Sequence, residues 1–218
     1  MEKYIKKFQA WERGFAARLR PDDLSTEERR RMARHYMLWF DHELFRLKWS
    51  NMMQIAPGVW RSNQPTEARF ERIKAAGIKT ILNLRGVSTN PYFLFEEEQC
   101  TAAGITLLGM PFKASRAPAA ERILELIGHF RTMEKPFLMH CKSGADRAGL
   151  ASAIYLMVIE GRPVSEAKAM LSSRFIHFRL FEEWVRTEYD ADAIQEEFEV
   201  RPWWRRMDPP SVALQRGQ

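Results

Sequence analysis

The stretch Phe137-Leu138-Met139-His140-Cys141-Lys142-Ser143-Gly144-Ala145-Asp146-Arg147-Ala148-Gly149 limits what this chain can fold into more than any other. Behind Pro136, the apolar run Phe137 to Met139 predicts a buried strand. A helical apolar pattern begins at Ala148 and continues through Leu150, Ile154, Tyr155, Met157, Val158 and Ile159. Between them lies a loop of small and polar residues that opens on Cys141 and closes on Arg147. Strand, tight loop and helix N-terminus together form an anion site. The amide N–H groups of the loop and first helical turn converge there, and the helix dipole favours negative charge.

That setting gives Cys141 and Arg147 their expected chemistry. A thiol at a helix N-terminus beside a fixed guanidinium favours its nucleophilic thiolate form. Arg147 supplies a planar fork able to hold two oxygens of a tetrahedral phosphate. A phosphoryl group over the sulfur would have its equatorial oxygens matched by Arg147 and the loop amides through the transition state. The expected product is a phosphocysteine that water then hydrolyses, with no metal or cofactor required. The bland alternative is a buried, inert cysteine followed by an accidental arginine. A Walker-type phosphate loop is excluded, since no Gly-Lys-Ser/Thr stands at the required spacing.

His140-Cys141-Lys142-Ser143-Gly144-Ala145-Asp146-Arg147 resembles the His-Cys-x5-Arg signature of the cysteine-dependent phosphatases, the tyrosine and dual-specificity phosphatase superfamily. Rhodanese-type sulfur transfer, which also uses a cysteine loop before a helix, stays as a minor rival. A second, independent match is Pro57-Gly58-Val59-Trp60-Arg61-Ser62-Asn63-Gln64-Pro65. It resembles the entry segment of the compact, mostly bacterial and fungal dual-specificity-like phosphatases. The resemblance implies Cys141 as nucleophile and Arg147 with Lys142, Ser143, Gly144, Ala145 and Ala148 as the phosphate-binding loop. It also implies His140 as a structural residue that positions that loop, and Arg85 as a candidate second phosphate or substrate contact. For Arg85, a surface arginine at a strand end is an equal alternative.

Composition narrows the partners. The 218 residues are 45% hydrophobic and 28% charged, as in a soluble globular protein with one ordinary domain plus an extension. A net charge of +6 suggests an anionic partner such as phosphate esters or acidic lipid headgroups. No aromatic-and-basic repeat or nucleic-acid motif is present, so nucleic acid is not expected as a partner. Two cysteines, Cys100 and Cys141, make no disulfide framework, and a cysteine nucleophile must stay reduced; both point to the cytoplasm. The N-terminal residues lack the apolar region of a signal peptide, and no run reaches transmembrane length. The sequence is silent on oligomeric state.

Taken in order, residues 1–20 predict a basic amphipathic helix, either packed on the body or in weak contact with an anionic membrane surface. Ser25 with Glu28 three later predicts the start of a second helix, running through Met32, Tyr36, Trp39, Phe40 and Leu44 to about Trp49. Its aromatics are expected as core or docking contacts. From residue 55 the alternation of a small α/β domain begins: a hairpin over 55–65, a helix over 66–76, and a strand over 78–84. A helix over 92–103 follows, with Glu96, Glu97 and Glu98 expected as a solvated face and Cys100 as a buried small residue. A strand over 105–110, a loop over 111–118 and a helix over 119–133 lead to the nucleophile strand. Beyond Glu160 come helices over 165–173 and 178–193. The aromatic and basic tail over 201–206 would touch the body or a membrane interface.

Two departures from the family pattern matter. The loop Pro111 to Pro118, where these phosphatases usually place an aspartate that protonates the leaving oxygen, holds Lys113, Ser115 and Arg116 but no Asp or Glu. Asp146 directly precedes Arg147, as an aspartate does in myotubularin-like and Sac-like phosphoinositide phosphatases. By that resemblance Asp146 is the general acid, with Lys142 adding charge for a multiply phosphorylated substrate; the alternative is that Asp146 only orients Arg147 or a loop amide. The residue after Arg147, commonly Ser or Thr in the family, is Ala148. The missing hydroxyl should slow phosphocysteine breakdown more than its formation. The resulting expectation is an α/β phosphatase domain over 51–195, a central mostly parallel sheet flanked by helices, with a helical extension over 1–50 and a tail over 196–218. Its substrate would be a phosphorylated protein or an inositol phosphate or phosphoinositide. The rival is a catalytically weak or inactive phosphate-binding module of the same fold.

Overall fold

The computed structural model of the chain describes residues 19–113 and 118–172. Helix α1 spans Glu27–Trp39, with Glu27 and Glu28 in its first turn favouring the positive end of its dipole. Its cap is Thr26, whose hydroxyl accepts from the Arg29 N–H at 3.2 Å. Ser25, the cap expected from the sequence, is instead held by Asp23, to which its Oγ donates at 2.6 Å and its N–H at 2.9 Å. The helix also stops well short of Trp49. His42 takes the left-handed conformation (φ 64°), and a separate short helix α2 follows at Glu43–Arg46. The turn there carries Asp41 into a buried cluster with Arg46 and Arg85, which an unbroken helix would not permit. The aromatics divide: Trp39 and Phe45 stand 62% and 66% exposed, so neither is a core contact among the described residues.

Strands β1 (Met53–Ala56) and β2 (Val59–Asn63) form an antiparallel hairpin through Gly58, whose φ of 72° suits the turn. The next helix opens as a 3-10 turn at Glu67–Arg69 before α3, Phe70–Ala75. Strand β3 is Thr80–Asn83; α4, Pro91–Ala103, starts with proline at its first position and ends on Gly104 in the left-handed region. Strand β4 is Thr106–Gly109, α5 is Ala120–Thr132 and β5 is Phe137–Cys141. Helix α6, Asp146–Ile154, runs into a π-helical turn at Tyr155–Ile159; α7, Val164–Lys168, ends in a 3-10 turn at Ala169–Leu171.

The five strands lie in the order β1-β2-β5-β3-β4. β2, β5, β3 and β4 run parallel, and β1 is antiparallel at one edge. The fold is therefore the mostly parallel, helix-flanked α/β sheet expected from the sequence. Every residue of β3 and of β5 is buried, as parallel strands covered on both faces require. Alternation along β5 sends Leu138 to one face, with Phe70, Ile73, Ile78 and Ile81, and Phe137 to the other. There Phe137 meets Phe130 and Tyr155 with ring centroids 5.2–6.1 Å apart. Each such side chain contributes about 1.5–3 kcal/mol by leaving water. Helix α1 docks on α4 through Ala33, Met37 and Phe95, joined by Leu24, and through the Arg30–Glu98 pair at 2.6 Å.

The register brings four strand ends to one edge: Asn63 lies opposite Cys141, and Asn83 lies opposite both His140 and Gly109. In open α/β sheets that carboxyl edge is where ligands bind. No helix among the described residues is long and apolar enough to cross a membrane. The helix expected over residues 1–20 falls almost wholly outside the described residues, as do Ser115, Arg116, the helix over 178–193 and the tail.

Candidate active site

Strand β5 ends with His140 and Cys141 both buried, and α6 begins at Asp146, so residues 142–145 form the loop between them. Four consecutive carbonyls of that loop are taken by donors from outside it. The Lys142 carbonyl accepts from the Gln64 N–H at 3.2 Å, and the Ser143 carbonyl from Asn51 Nδ2 at 3.0 Å. The Gly144 and Ala145 carbonyls both accept from Arg61 Nη2, the latter at 3.3 Å. In a trans peptide the N–H lies on the opposite edge from its carbonyl. Fixing these carbonyls therefore turns the N–H groups of Ser143, Gly144, Ala145 and Asp146 the other way, as an anion-binding loop requires.

Arg61 is the staple of this arrangement. It is fully buried, and its Nη1 also donates to the Met170 carbonyl at 2.7 Å, tying the loop to the segment after α7. Burial pushes its guanidinium down to about 10, opposed by the Cys141 sulfur, so it stays charged at neutral pH. Gly144 shows why the loop needs its glycine. Its φ is 72°, and a Cβ there would stand 2.6 Å from the Asn63 nitrogen and 2.7 Å from the Ser62 carbonyl carbon. Both are backbone atoms with little freedom to yield.

Arg147, in the first turn of α6, reaches the strand exits: its Nη1 donates to the Phe112 carbonyl at 3.3 Å and sits 3.5 Å from that of Leu84. Asp146 is half-buried at the start of the same helix. Ser143 Oγ lies 3.4 Å from the Ala145 amide, from which it accepts. Ala148 is fully buried, and the nearest turn onward places Ser152 Oγ on its carbonyl at 2.6 Å. Cys100 is buried away in α4, where burial pushes its thiol well up.

The three glutamates of α4 do not share one face. Glu97 and Glu98 are exposed, but Glu96 is buried at 2% exposure, which corrects the solvated-face expectation. Its Oε1 lies 2.7 Å from His140 Nε2, while its Oε2 accepts from Asn83 Nδ2 at 2.6 Å and Gln64 Nε2 at 3.1 Å. The other ring nitrogen of His140 lies 3.4 Å from the Cys141 carbonyl. A buried carboxylate is retained only when paired and hydrogen-bonded, and Glu96 is both. Its position had a signal: it stands three after Phe93 and four before Cys100, the spacing of one helix face.

Arg85 is not a surface arginine. Its Nη1 donates to Gln64 Oε1 at 3.0 Å, its guanidinium packs over Tyr92, and its Nη2 lies 2.6 Å from Asp41 Oδ1. Lys142 Nζ approaches the same Asp41 oxygen at 3.6 Å and His42 Nδ1 at 3.3 Å. Asp41 and Arg61 carry as much of the site's order as the residues anticipated from the loop motif. Arg61 stood in the hairpin match; Asp41 had no local signal, because its partners lie far along the chain.

A loop that opens on a strand-end cysteine, closes on a helix-borne arginine and sits on the carboxyl edge of a mostly parallel sheet defines a domain with the fold of the dual-specificity phosphatases. A family model described as "DSP-PTPase phosphatase fused to NAD+ Kinase" matches residues 49–186, and the chain belongs to that family. Among curated proteins it is similar to the dual specificity protein phosphatase TpbA of Pseudomonas aeruginosa, 27% identical over 115 residues covering 51% of this chain. The chain spans about half (48%) of the length of that relative. The crystal structure of TpbA superposes with a TM-score of 0.50 at 22% identity, covering 64% of this chain and 89% of that one. The core catalytic domain of the PP-IP phosphatase SIW14 from S. cerevisiae, in complex with citrate, gives 0.54 at 19% identity, covering 71% of this chain and 94% of that one. At these identities the two structures establish the fold alone.

Proposed function

We propose that the chain hydrolyses phosphomonoesters through a phosphocysteine intermediate. The observation that carries this is the loop itself: four consecutive carbonyls fixed from outside by Gln64, Asn51 and Arg61, with Cys141 at one end and Arg147 at the other. The phosphate oxygens accept from the loop amides and from Arg147, and the Cys141 sulfur attacks phosphorus opposite the leaving oxygen. The S–P bond forms as the P–O bond to the leaving group breaks. Asp146 donates the proton to that oxygen and then takes one from the attacking water, which releases inorganic phosphate and returns the thiolate. Lys142, Ser143, Gly144, Ala145 and Ala148 frame the phosphate; His140 and Glu96 hold the strand end from which Cys141 projects. The family and the dual-specificity name of the TpbA relative support a phosphorylated protein as substrate, and the net charge of +6 keeps inositol phosphates beside it.

The test is hydrolysis of an aryl phosphate between about pH 5 and 8 by wild type, Cys141→Ser and Asp146→Asn. Such a leaving group needs little protonation, so it reports the nucleophile directly. Cys141→Ser should abolish turnover, and Asp146→Asn should remove the basic limb of the pH profile. The second reading, a phosphate-binding module, is favoured by Ala148, which brings no hydroxyl to the departing thiolate. It would be established by phosphate-analogue binding without wild-type turnover.

A further inference from the structure

The cations beside the loop are already answered from within the chain. Asp41 arrives from the segment between α1 and α2 and is 3% exposed. Arg85 grips it with both terminal nitrogens (Nη1–Oδ2 3.0 Å, Nη2–Oδ1 2.6 Å), and Arg46 Nη2 adds 2.7 Å to Oδ2. Lys142, the residue after the proposed nucleophile, closes on it at 3.6 Å. Burial pushes the Asp41 carboxyl up, but Arg85, then Arg46 and Lys142, outweigh this and hold it below its ordinary value, so it is an anion at neutral pH.

The left-handed backbone of His42 keeps this carboxylate in place. A non-glycine residue at φ 64° carries a local cost that persists only where the surroundings over-determine it. Here they do: Asp41 is fixed on three sides, and His42 Nδ1 sits 3.3 Å from Lys142 Nζ. A phosphate ester with a second anionic group near the first would draw on Lys142 and Arg85, the cations among the described residues that gather on Asp41 beside the loop. Arg85 has its fork spent on Asp41, and Lys142 would have to leave it.

We infer that Asp41 is a specificity-determining residue, an internal counter-anion that occupies the place a second anionic group of the substrate would take. The inference rests on the phosphomonoesterase reading and deepens it. Asp41 directs the site toward esters bearing an isolated phosphate, such as a phosphorylated side chain, and against those bearing clustered phosphates. It reverses the expectation that Lys142 serves a multiply phosphorylated substrate.

The experiment titrates the full chain carrying Cys141→Ser with inorganic phosphate, one anionic group, and inorganic pyrophosphate, two, by calorimetry at fixed ionic strength. The Cys141→Ser protein should bind the two within about threefold of each other. Adding Asp41→Asn should tighten pyrophosphate by about tenfold, the scale of one charge-assisted contact, and phosphate by less than about threefold. Adding Lys142→Gln to that pair should cancel the gain. Equal shifts for both ligands, or no shift in a variant that melts cooperatively, would overturn the inference and leave Asp41 a purely structural anchor. If Asp41→Asn does not fold, Lys142→Gln in the Cys141→Ser protein decides. A pyrophosphate-to-phosphate ratio unchanged within about twofold supports Asp41 as the counter-anion of Lys142. A ratio lowered about tenfold shows Lys142 already serving a second anion and overturns it. Failure of the Cys141→Ser protein to bind phosphate at all would instead sink the phosphate-loop reading, and the inference with it.

Discussion

Strand β5 is two regions in five residues. Its first half is wholly buried, with Phe137 and Leu138 among aliphatic and aromatic side chains and the Met139 sulfur 3.6 Å from Ser152 Oγ; its second half, His140 and Cys141, is equally buried but lies beside Glu96, Asn83, Arg61 and the loop carbonyls. Burial is the same, and the forces are opposite. In the apolar half, stability grows with area removed from water, and shape alone decides what fits. In the polar half, the His140 ring was costly to bury and stays because the Glu96 carboxylate answers it. The apolar half should therefore fail by degrees when changed. The polar half should fail in function before it fails in fold.

The sharpest way to break this contrast is Arg61→Met, which keeps length and burial but removes the donor for the carbonyls of Gly144, Ala145 and Met170. Unpaired buried carbonyls cost about 1–3 kcal/mol each, although that of Ala145 keeps the Gly149 N–H at 2.7 Å. Aryl phosphate turnover should drop more than about hundredfold as the loop amides lose their aim, and turnover retained within about threefold would end the staple argument. Next is Leu138→Ala, expected to lower unfolding free energy in urea by about 2–5 kcal/mol. Its kcat/KM per folded molecule should stay within about twofold of wild type, because the change lies in the apolar half. A hundredfold loss there would erase the distinction between the halves.

Glu96→Gln is a milder probe: the side chain keeps its volume, but the charge facing His140 is lost. Turnover should fall by roughly tenfold while the urea midpoint moves by about 1–3 kcal/mol in stability. Equal losses in Glu96→Gln and Glu97→Gln would remove the buried glutamate from the mechanism, since Glu97 is exposed. The smallest effect concerns acid. The Asp41 carboxyl is held below its ordinary value of 3.8 in the folded chain, so its contribution is complete above that value and is lost as pH falls through the folded one. The urea midpoint should decline on acidification below about pH 4, and Asp41→Asn should flatten that decline. A parallel decline in the variant would show the carboxylate to be unimportant there.

The sequence made the centre of the sheet legible because β3 and β5 are fully buried and carry short apolar runs. The loop was legible because the spacing from Cys141 to Arg147, with Gly144 between, leaves few other geometries. What stayed hidden is long-range. The break at Asp41 and His42 has no helix-stop residue, since the cause is an ion cluster with Arg46, Arg85 and Lys142, the last 101 residues away by number (142 less 41). The sorting of Glu96 from Glu97 and Glu98 needed the helix phase, not the charge count. The first turn cap moved from Ser25 to Thr26 because Asp23 competes for the serine.

The position of Asp41 has a practical consequence for anyone who dissects the protein. The family match begins at residue 49, eight positions after Asp41 (49 less 41), so a fragment cut at that boundary keeps Arg85 and Lys142 and loses the carboxylate that faces them. Such a fragment would elute later from a cation exchanger than charge counting of its surface suggests, and would carry copurifying polyanions. Homology draws the border of a domain where similarity fades. Here the electrostatic unit is larger than the homologous one.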